Sequence, residues 1–421
     1  MTKIEKRDLL FPFILVTSLF FLWAFVHNLE PILIPHLKKA CQLSDFQSAL
    51  IDSAVYFGYF LMALPAGMVM KKFGYKKGIL AGLILYAVGA LLFIPAADSR
   101  MYALFLTALF IIASGCAFLE TAANPYITLL GKPETATARL NLAQSFNGFG
   151  AFIAPYAGGL WILSGVEYTN EEMASFSSQD FEQYLQMEAD AVKIPYLIIA
   201  LTVFLVAVLI WATKMPEASE ESSTRPSGIV KALRHRHLRW GVLTQFFYVG
   251  AQVCVTSFFI RFARQASDIP EKDAAFWLSM AMLGFMIGRF AGTFFMRFVS
   301  APKLLTLYSF ICMVLLLVAS LANGPLAVWA LMAVPFFESI LFPTIFSLAI
   351  QNLKEDTPIG SSLVVMSIAG GAFFPLLMGF ISDQSQIQWA YLVPAACFLV
   401  VAWYGWSGHQ VVSEDNPQSS L

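Results

Sequence analysis

The sequence predicts an all-α membrane protein with twelve transmembrane helices arranged as two six-helix halves. Three observations carry that prediction. Of the 421 residues 58% are hydrophobic and only 13% charged, with a mean hydropathy of +0.69, whereas a soluble domain carries about 25% charged residues. Apolar runs of about 20 residues, the length that crosses a bilayer, recur from one end of the chain to the other. A polar and basic stretch at 214–237 parts these runs into six and six.

Taken in order, the expected spans are 10–36, 49–70, 78–97, 102–128, 142–164, 194–213, 238–262, 274–298, 302–322, 326–351, 362–381 and 389–407. The first is too long for a cleaved leader and has no small-residue cleavage site. Two neighbouring pairs lie so close that hydropathy alone would fuse them. Ala97-Asp98-Ser99-Arg100 and Asn323-Gly324-Pro325 supply the turns that keep them apart. The segment 165–193 is acidic, with Glu167, Glu171, Glu172, Asp180, Glu182, Glu188 and Asp190. The stretch 214–237 begins as flexible linker, and Ile229–Leu238 reads as a basic amphipathic helix on the membrane surface.

Lysine and arginine gather at Lys3, Lys6 and Arg7, at Lys71, Lys72, Lys76 and Lys77, and through the linker at Lys231, Arg234, Arg236 and Arg239. The positive-inside rule then puts both termini and the linker in the cytoplasm and 165–193 outside. The domain plan is 1–213 as the N-terminal half, 214–237 as a cytoplasmic linker and 238–421 as the C-terminal half with a short cytoplasmic tail. Such a chain is a multi-pass protein of the plasma membrane, the inner one where a cell has two.

Polar residues inside the spans point to function. A carboxylate in hydrocarbon costs roughly 2.5–3.5 kcal/mol on insertion scales, so an intramembrane acid marks a substrate or proton pathway by default. Glu120 is such an acid, and Asn124 lies one turn on, on the same helical face. Gln144 and Asn147 share a face of the next span. Asn124 either joins them or caps backbone freed by Pro125. Gln245, Tyr248 and Gln252 form a polar stripe on the seventh span, suited to lining a cavity or to bonding between helices. Glu338 is a second deep acid, flanked by Phe336, Phe337, Ile340 and Leu341. His27 and Asn28 lie beside Glu30, which makes a His–Glu relay conceivable. Asp52 and Tyr56 share a face of the second span, with Asp52 expected at the outer interface. Arg289 is expected to snorkel to the cytoplasmic surface.

Other chemistries find little support. The five cysteines have no metal-type spacing and four lie in apolar runs. The five histidines are not paired at ligand spacing, and no nucleophile–base pair argues for an enzyme. There is no GxxxxGK[ST] motif, so gradient-driven chemistry fits better than a nucleotide, and no cofactor or nucleic-acid partner is expected.

Six plus six helices about a central linker is the plan of the major facilitator transporters. A sharper resemblance lies in Phe20-Phe-Leu-Trp-Ala-Phe25, Ile32-Leu-Ile-Pro35, Tyr56-Phe-Gly-Tyr-Phe60, Leu119-Glu-Thr-Ala-Ala-Asn-Pro125, Arg139-Leu-Asn-Leu-Ala-Gln144 and Phe342-Pro-Thr-Ile-Phe-Ser-Leu348. These resemble the L-fucose–proton symporter family, which also holds permeases for glucose, galactose and N-acetylglucosamine. The resemblance runs from about residue 10 to 385. It implies a proton-coupled symporter that imports a monosaccharide by alternating access, with lipid, protons and sugar as partners. A non-transporting sugar receptor and an uncoupled facilitator are the alternatives.

It also implies that Glu120 couples to the proton and that Gln144 and Asn147 contact the sugar, helped by Asn124, Gln252, Tyr248 and Gln245. The family's acid on the first helix follows an asparagine just before Ile-Leu-Ile-Pro. Here the sequence is Glu30-Pro31, so the acid comes one residue early, about 100° round a regular helix. Pro31 and Pro35 break or kink that helix. Glu338 stands where the family commonly has a neutral residue, and Phe342 where the fucose permease has tyrosine. Either Glu30 or Glu338 is therefore the second acid.

Overall fold

The computed structural model describes residues 6–130, 136–163, 168, 172–173, 175–215, 229–296, 298–353 and 357–410. Most of the linker (216–228), parts of the acidic segment (164–167, 169–171 and 174) and the tail from 411 lie outside the described residues. In chain order the main elements are α1 (Lys6–His27), α2 (Glu30–Ala40), α3 (Asp45–Ser48), α4 (Leu50–Phe73), α5 (Tyr75–Ser99), α6 (Tyr102–Leu129) and α7 (Ala136–Trp161). They continue with α8 (Ser178–Asp190), α9 (Lys193–Ala212), α10 (Ile229–Ala232), α11 (Arg236–Ser257), α12 (Phe259–Ser267), α13 (Glu271–Phe295) and α14 (Ala301–Leu321). The last are α15 (Pro325–Glu338), α16 (Leu341–Ala349), α17 (Thr357–Met366), α18 (Gly370–Gln384), α19 (Ile387–Ala390) and α20 (Leu392–Trp403).

Among the described residues ten helical runs are long and apolar enough to cross a membrane, and α11 with α12 makes an eleventh, bent by 52°. The twelfth, α7, is less apolar because it carries Gln144, Ser145 and Asn147. The expected turns are present. Arg100 ends α5 in the left-handed region at φ 47°. Gly324, at φ 67°, and Pro325 at the first helical position start α15. The α9 helix shows how a span serves two media. Pro195, Tyr196, Ala200, Val203 and Ala207 are buried in the protein, while Ile194, Leu201, Phe204 and Trp211 are exposed on the other faces.

Contacts divide the chain into two compact units, one of Met1–Glu220 with Ser257–Leu283 and one of Glu221–Thr256 with Gly284–Leu421. In the first unit, glycines let helices approach to backbone distance. A Cβ on Gly115 of α6 would lie 2.6 Å from the Gly82 carbonyl oxygen of α5, and one on Gly150 of α7 would lie 2.8 Å from that of Phe21 on α1. These approaches fix α6 and α7, the two helices that carry Glu120 and Gln144.

The structure adds one feature and changes one expectation. The acidic segment contains a helix, α8, which turns Tyr184, Leu185 and Ala189 inward. Lys193 pairs with Asp190 at 2.7 Å and with Asp98, and Arg100 pairs with Glu182. Ile229–Leu238 is not one surface helix. A single turn, α10, is followed by a bend, and α11 starts at Arg236. The reason is burial, because Ala232 and Leu238 pack with Ala349, Leu353 and Val364 in a core of the second unit.

Candidate functional site

In the first unit the polar residues converge through a helix break. Pro31 has no N–H for the His27 carbonyl, so the helix cannot run on regularly. It stops at His27, passes through Asn28 and Leu29, and restarts at Glu30, with Pro31 in the first turn where its missing N–H costs nothing. The Asn28 amide donates to the Ala24 carbonyl at 2.8 Å. Glu30, 6% exposed, brings Oε1 to 3.1 Å from His27 Nδ1. On the other side of the ring, His27 Nε2 lies 3.0 Å from the Tyr56 hydroxyl. The rings of Tyr56 and Tyr59 meet the imidazole edge-on at 5.5 and 6.2 Å. Glu30, Glu120 and Asp52 all lie within electrostatic reach of His27.

Glu120 is half-buried on α6. Asn124 Nδ2 donates to the Glu120 carbonyl at 2.9 Å, and Gln144 Nε2 donates to Asn124 Oδ1 at 3.3 Å. Asn124 thus links α6 to α7. It does not cap the carbonyl that Pro125 would free, which is that of Thr121. Asn147 lies half-buried one turn beyond Gln144. At the foot of α7, Arg139 Nε donates to the Ile127 carbonyl at 3.2 Å, which gives the arginine of that motif a part in joining the two helices. The arrangement sets amide donors and acceptors beside a carboxyl group, with a histidine shared between acids.

The second unit holds Glu338, Gln245, Tyr248 and Gln252. Here too a helix breaks beside an acid: α15 ends at Glu338, and α16 starts after Ser339 and Ile340. Pro343 has no N–H for the Ser339 carbonyl, and Arg289 Nε reaches that oxygen at 3.4 Å. The Tyr248 hydroxyl donates to the Glu338 carbonyl at 2.9 Å. Arg289 therefore does not snorkel outward; its guanidinium lies over the Phe285 ring, 5.0 Å from the centroid. Glu338 is fully buried, and neither carboxyl oxygen has a hydrogen-bond partner among the described residues. The same holds for both ends of the Gln245 amide. Gln245 and Tyr248 are fully buried, so neither offers a surface that a sugar reaches in this structure. Gln252 is half-buried one turn on.

Asp52 lies in the first turn of α4 and is fully buried within the protein, and it accepts a 2.7 Å hydrogen bond from Ser257. Tyr59 was not singled out in the sequence, although Asp52, Tyr56 and Tyr59 fall at spacings of four and three on one face of α4.

Comparison with known proteins accords with this geometry. The model of the Major Facilitator Superfamily matches residues 13–369. The chain is 45% identical to the L-fucose-proton symporter of Escherichia coli K12, over 94% of this chain and 93% of that one. It is 42% identical to the glucose/galactose transporter of Brucella abortus, over 93% of each. The crystal structure of the E. coli fucose:proton symporter superposes with a TM-score of 0.70 at 44% identity, covering 96% of this chain and all of that one. That of a D-xylose-proton symporter, at 12% identity, shares the fold with a TM-score of 0.75. This chain belongs to the Major Facilitator Superfamily and, within it, to the family of the L-fucose–proton symporter.

Proposed function

We propose that the protein imports a hexose-type monosaccharide together with a proton, by alternating access. The relation to a proton symporter and a hexose transporter over nearly the whole chain supports this reading. One local observation carries it: Glu120 stands beside the linked amides of Asn124 and Gln144 and within electrostatic reach of His27. An acid next to sugar-binding amides ties proton occupancy to sugar occupancy through a single site. Gln144 and Asn147 hydrogen-bond the sugar, and Asn124 holds Gln144 in place. Glu120 takes the proton, and Glu30 with His27 is the second acid. Glu338, Gln245 and Tyr248 support the broken helix of the second unit. In the membrane both termini and the linker are cytoplasmic.

Uptake of radiolabelled fucose, glucose and galactose into liposomes tests the reading. Accumulation only when the outside is more acidic supports symport. Equilibration without accumulation points to a facilitator, and binding without uptake to a receptor. Orientation is read separately by an impermeant thiol reagent, which should label Asp180→Cys from outside and not Ser222→Cys.

A further inference from the structure

We propose that Asp52 is a proton-operated positioning residue: its neutral form lets the segment 257–283 dock on the N-terminal helices of its own unit. The part this plays in coupling rests on the symport reading above; its geometry does not. The segment is distant in sequence from those helices yet belongs to the same compact unit, and it begins at the bend of 52° between α11 and α12. Polar side chains among the described residues tie it there, Arg261 first. Arg261 Nη1 donates to Asp45 Oδ1 at 2.7 Å and to Ser48 Oγ at 2.8 Å. Lys39 Nζ donates to Glu271 Oε2 at 2.6 Å. The Ser279 hydroxyl donates to the Phe152 carbonyl. Ser257 Oγ donates to Asp52 Oδ1 at 2.7 Å.

The contacts of Arg261, Lys39 and Ser279 are neutral or matched in charge near neutral pH, but that of Ser257 is not. Asp52 is fully buried, its one hydrogen bond comes from an uncharged hydroxyl, and Oδ2 has no partner among the described residues. The charged and titratable groups around it are Glu30 and His27 from the first span, Arg261 from α12 and Tyr102 from α6. Arg261 is the one fixed cation among them. It directs Nη1 to Asp45 and Ser48 and Nη2 to the Ser257 carbonyl at 3.4 Å, and it stacks 3.9 Å from the Phe258 ring centroid. A carboxylate with one hydrogen bond and no bonded cation is costly to bury, whereas the neutral acid keeps the Ser257 bond at far lower cost.

Docking of the segment and protonation of Asp52 therefore favour one another. The docked fraction falls as pH rises. For one linked proton the docked-to-undocked ratio changes by up to about tenfold per pH unit. In the orientation proposed above this end of the unit faces outward, so a proton entering from outside closes that end behind it.

Spin labels on Phe46→Cys and Asp268→Cys test this in the full-length protein in liposomes. Both positions are exposed. Cys41 is replaced by Ser, because it alone of the five cysteines is not buried. The inter-label distance distribution is recorded from about pH 5 to about pH 8.5, a range wide enough for one linked proton to show. A docked population that falls with rising pH is expected, becoming pH-independent and docked in Asp52→Asn. Ser257→Ala should lower it at every pH and keep the slope, and Glu30→Gln, which removes a neighbouring acid, should move the response to lower pH and keep its slope. A wild-type distribution that ignores pH overturns the proposal, as does an unchanged pH response in Asp52→Asn or an unchanged population in Ser257→Ala. Proton-driven sugar uptake by the same liposomes reports on the symport reading independently, since docking is read without sugar or gradient.

Discussion

Two helices of this protein break beside an acid, and the two acids are treated in opposite ways. At the first break Glu30 opens the new helix and turns onto His27, whose other nitrogen meets Tyr56. At the second, Glu338 closes the old helix with both oxygens buried and without a partner among the described residues. The broken backbone of the second unit is nevertheless supported, because Tyr248 and Arg289 reach the carbonyls of Glu338 and Ser339. Proline removes an N–H in both cases, so the sequence cause is shared. What differs is the company of the carboxyl group. A carboxyl 3.1 Å from a histidine nitrogen has a group to pass a proton to, whereas neither oxygen of Glu338 has a hydrogen-bond partner among the described residues.

The largest effect that tests this contrast is on coupling. Glu30→Gln should abolish proton-driven accumulation while exchange of internal for external sugar survives, and Glu338→Gln should keep accumulation within about twofold, a change worth less than about 1 kcal/mol. Uptake with and without a pH gradient checks both, and a reversed outcome would make Glu338 the second acid. A middling effect is expected on affinity. Gln144→Ala and Asn147→Ala each lose a neutral hydrogen bond, about 0.5–1.5 kcal/mol, hence about twofold to tenfold weaker sugar binding by titration calorimetry. Gln245→Ala, fully buried, should leave affinity unchanged even where it lowers stability. The last contrast concerns the acids as structural groups. Glu338→Met removes a buried polar group that has no partner and should hold or raise the melting temperature. Glu30→Met strands the His27 ring, a loss of about 1–3 kcal/mol, and should lower it.

Much of the fold was legible because membrane spans are set by length and apolarity, and each of the twelve expected runs corresponds to helix. The pairing of Glu120, Asn124 and Gln144 was legible for a similar reason, since helical spacing places them on known faces and a short connection forces α6 and α7 together. The turn of Glu30 onto His27 was harder to read. Pro31 signals a break but not the angle at which the helix restarts. The Asp52–Ser257 contact joins residues 205 apart in sequence, and nothing local to either predicts the other. The helix in the acidic segment was hidden by its charge; its apolar face is narrow, with Tyr184, Leu185 and Ala189.

The central claim is that Glu120 carries the coupled proton beside the sugar, and Glu120→Gln tests it most directly. The amide keeps the size and hydrogen-bonding capacity of the neutral acid but cannot release a proton. In liposomes with an acidic exterior, the variant is expected to exchange labelled sugar at a rate near that of the wild type, to build no gradient of it, and to bind it with an affinity that no longer varies with pH. A Glu120→Gln protein that still concentrates sugar against its gradient, with the pH dependence of the wild type, would contradict the account.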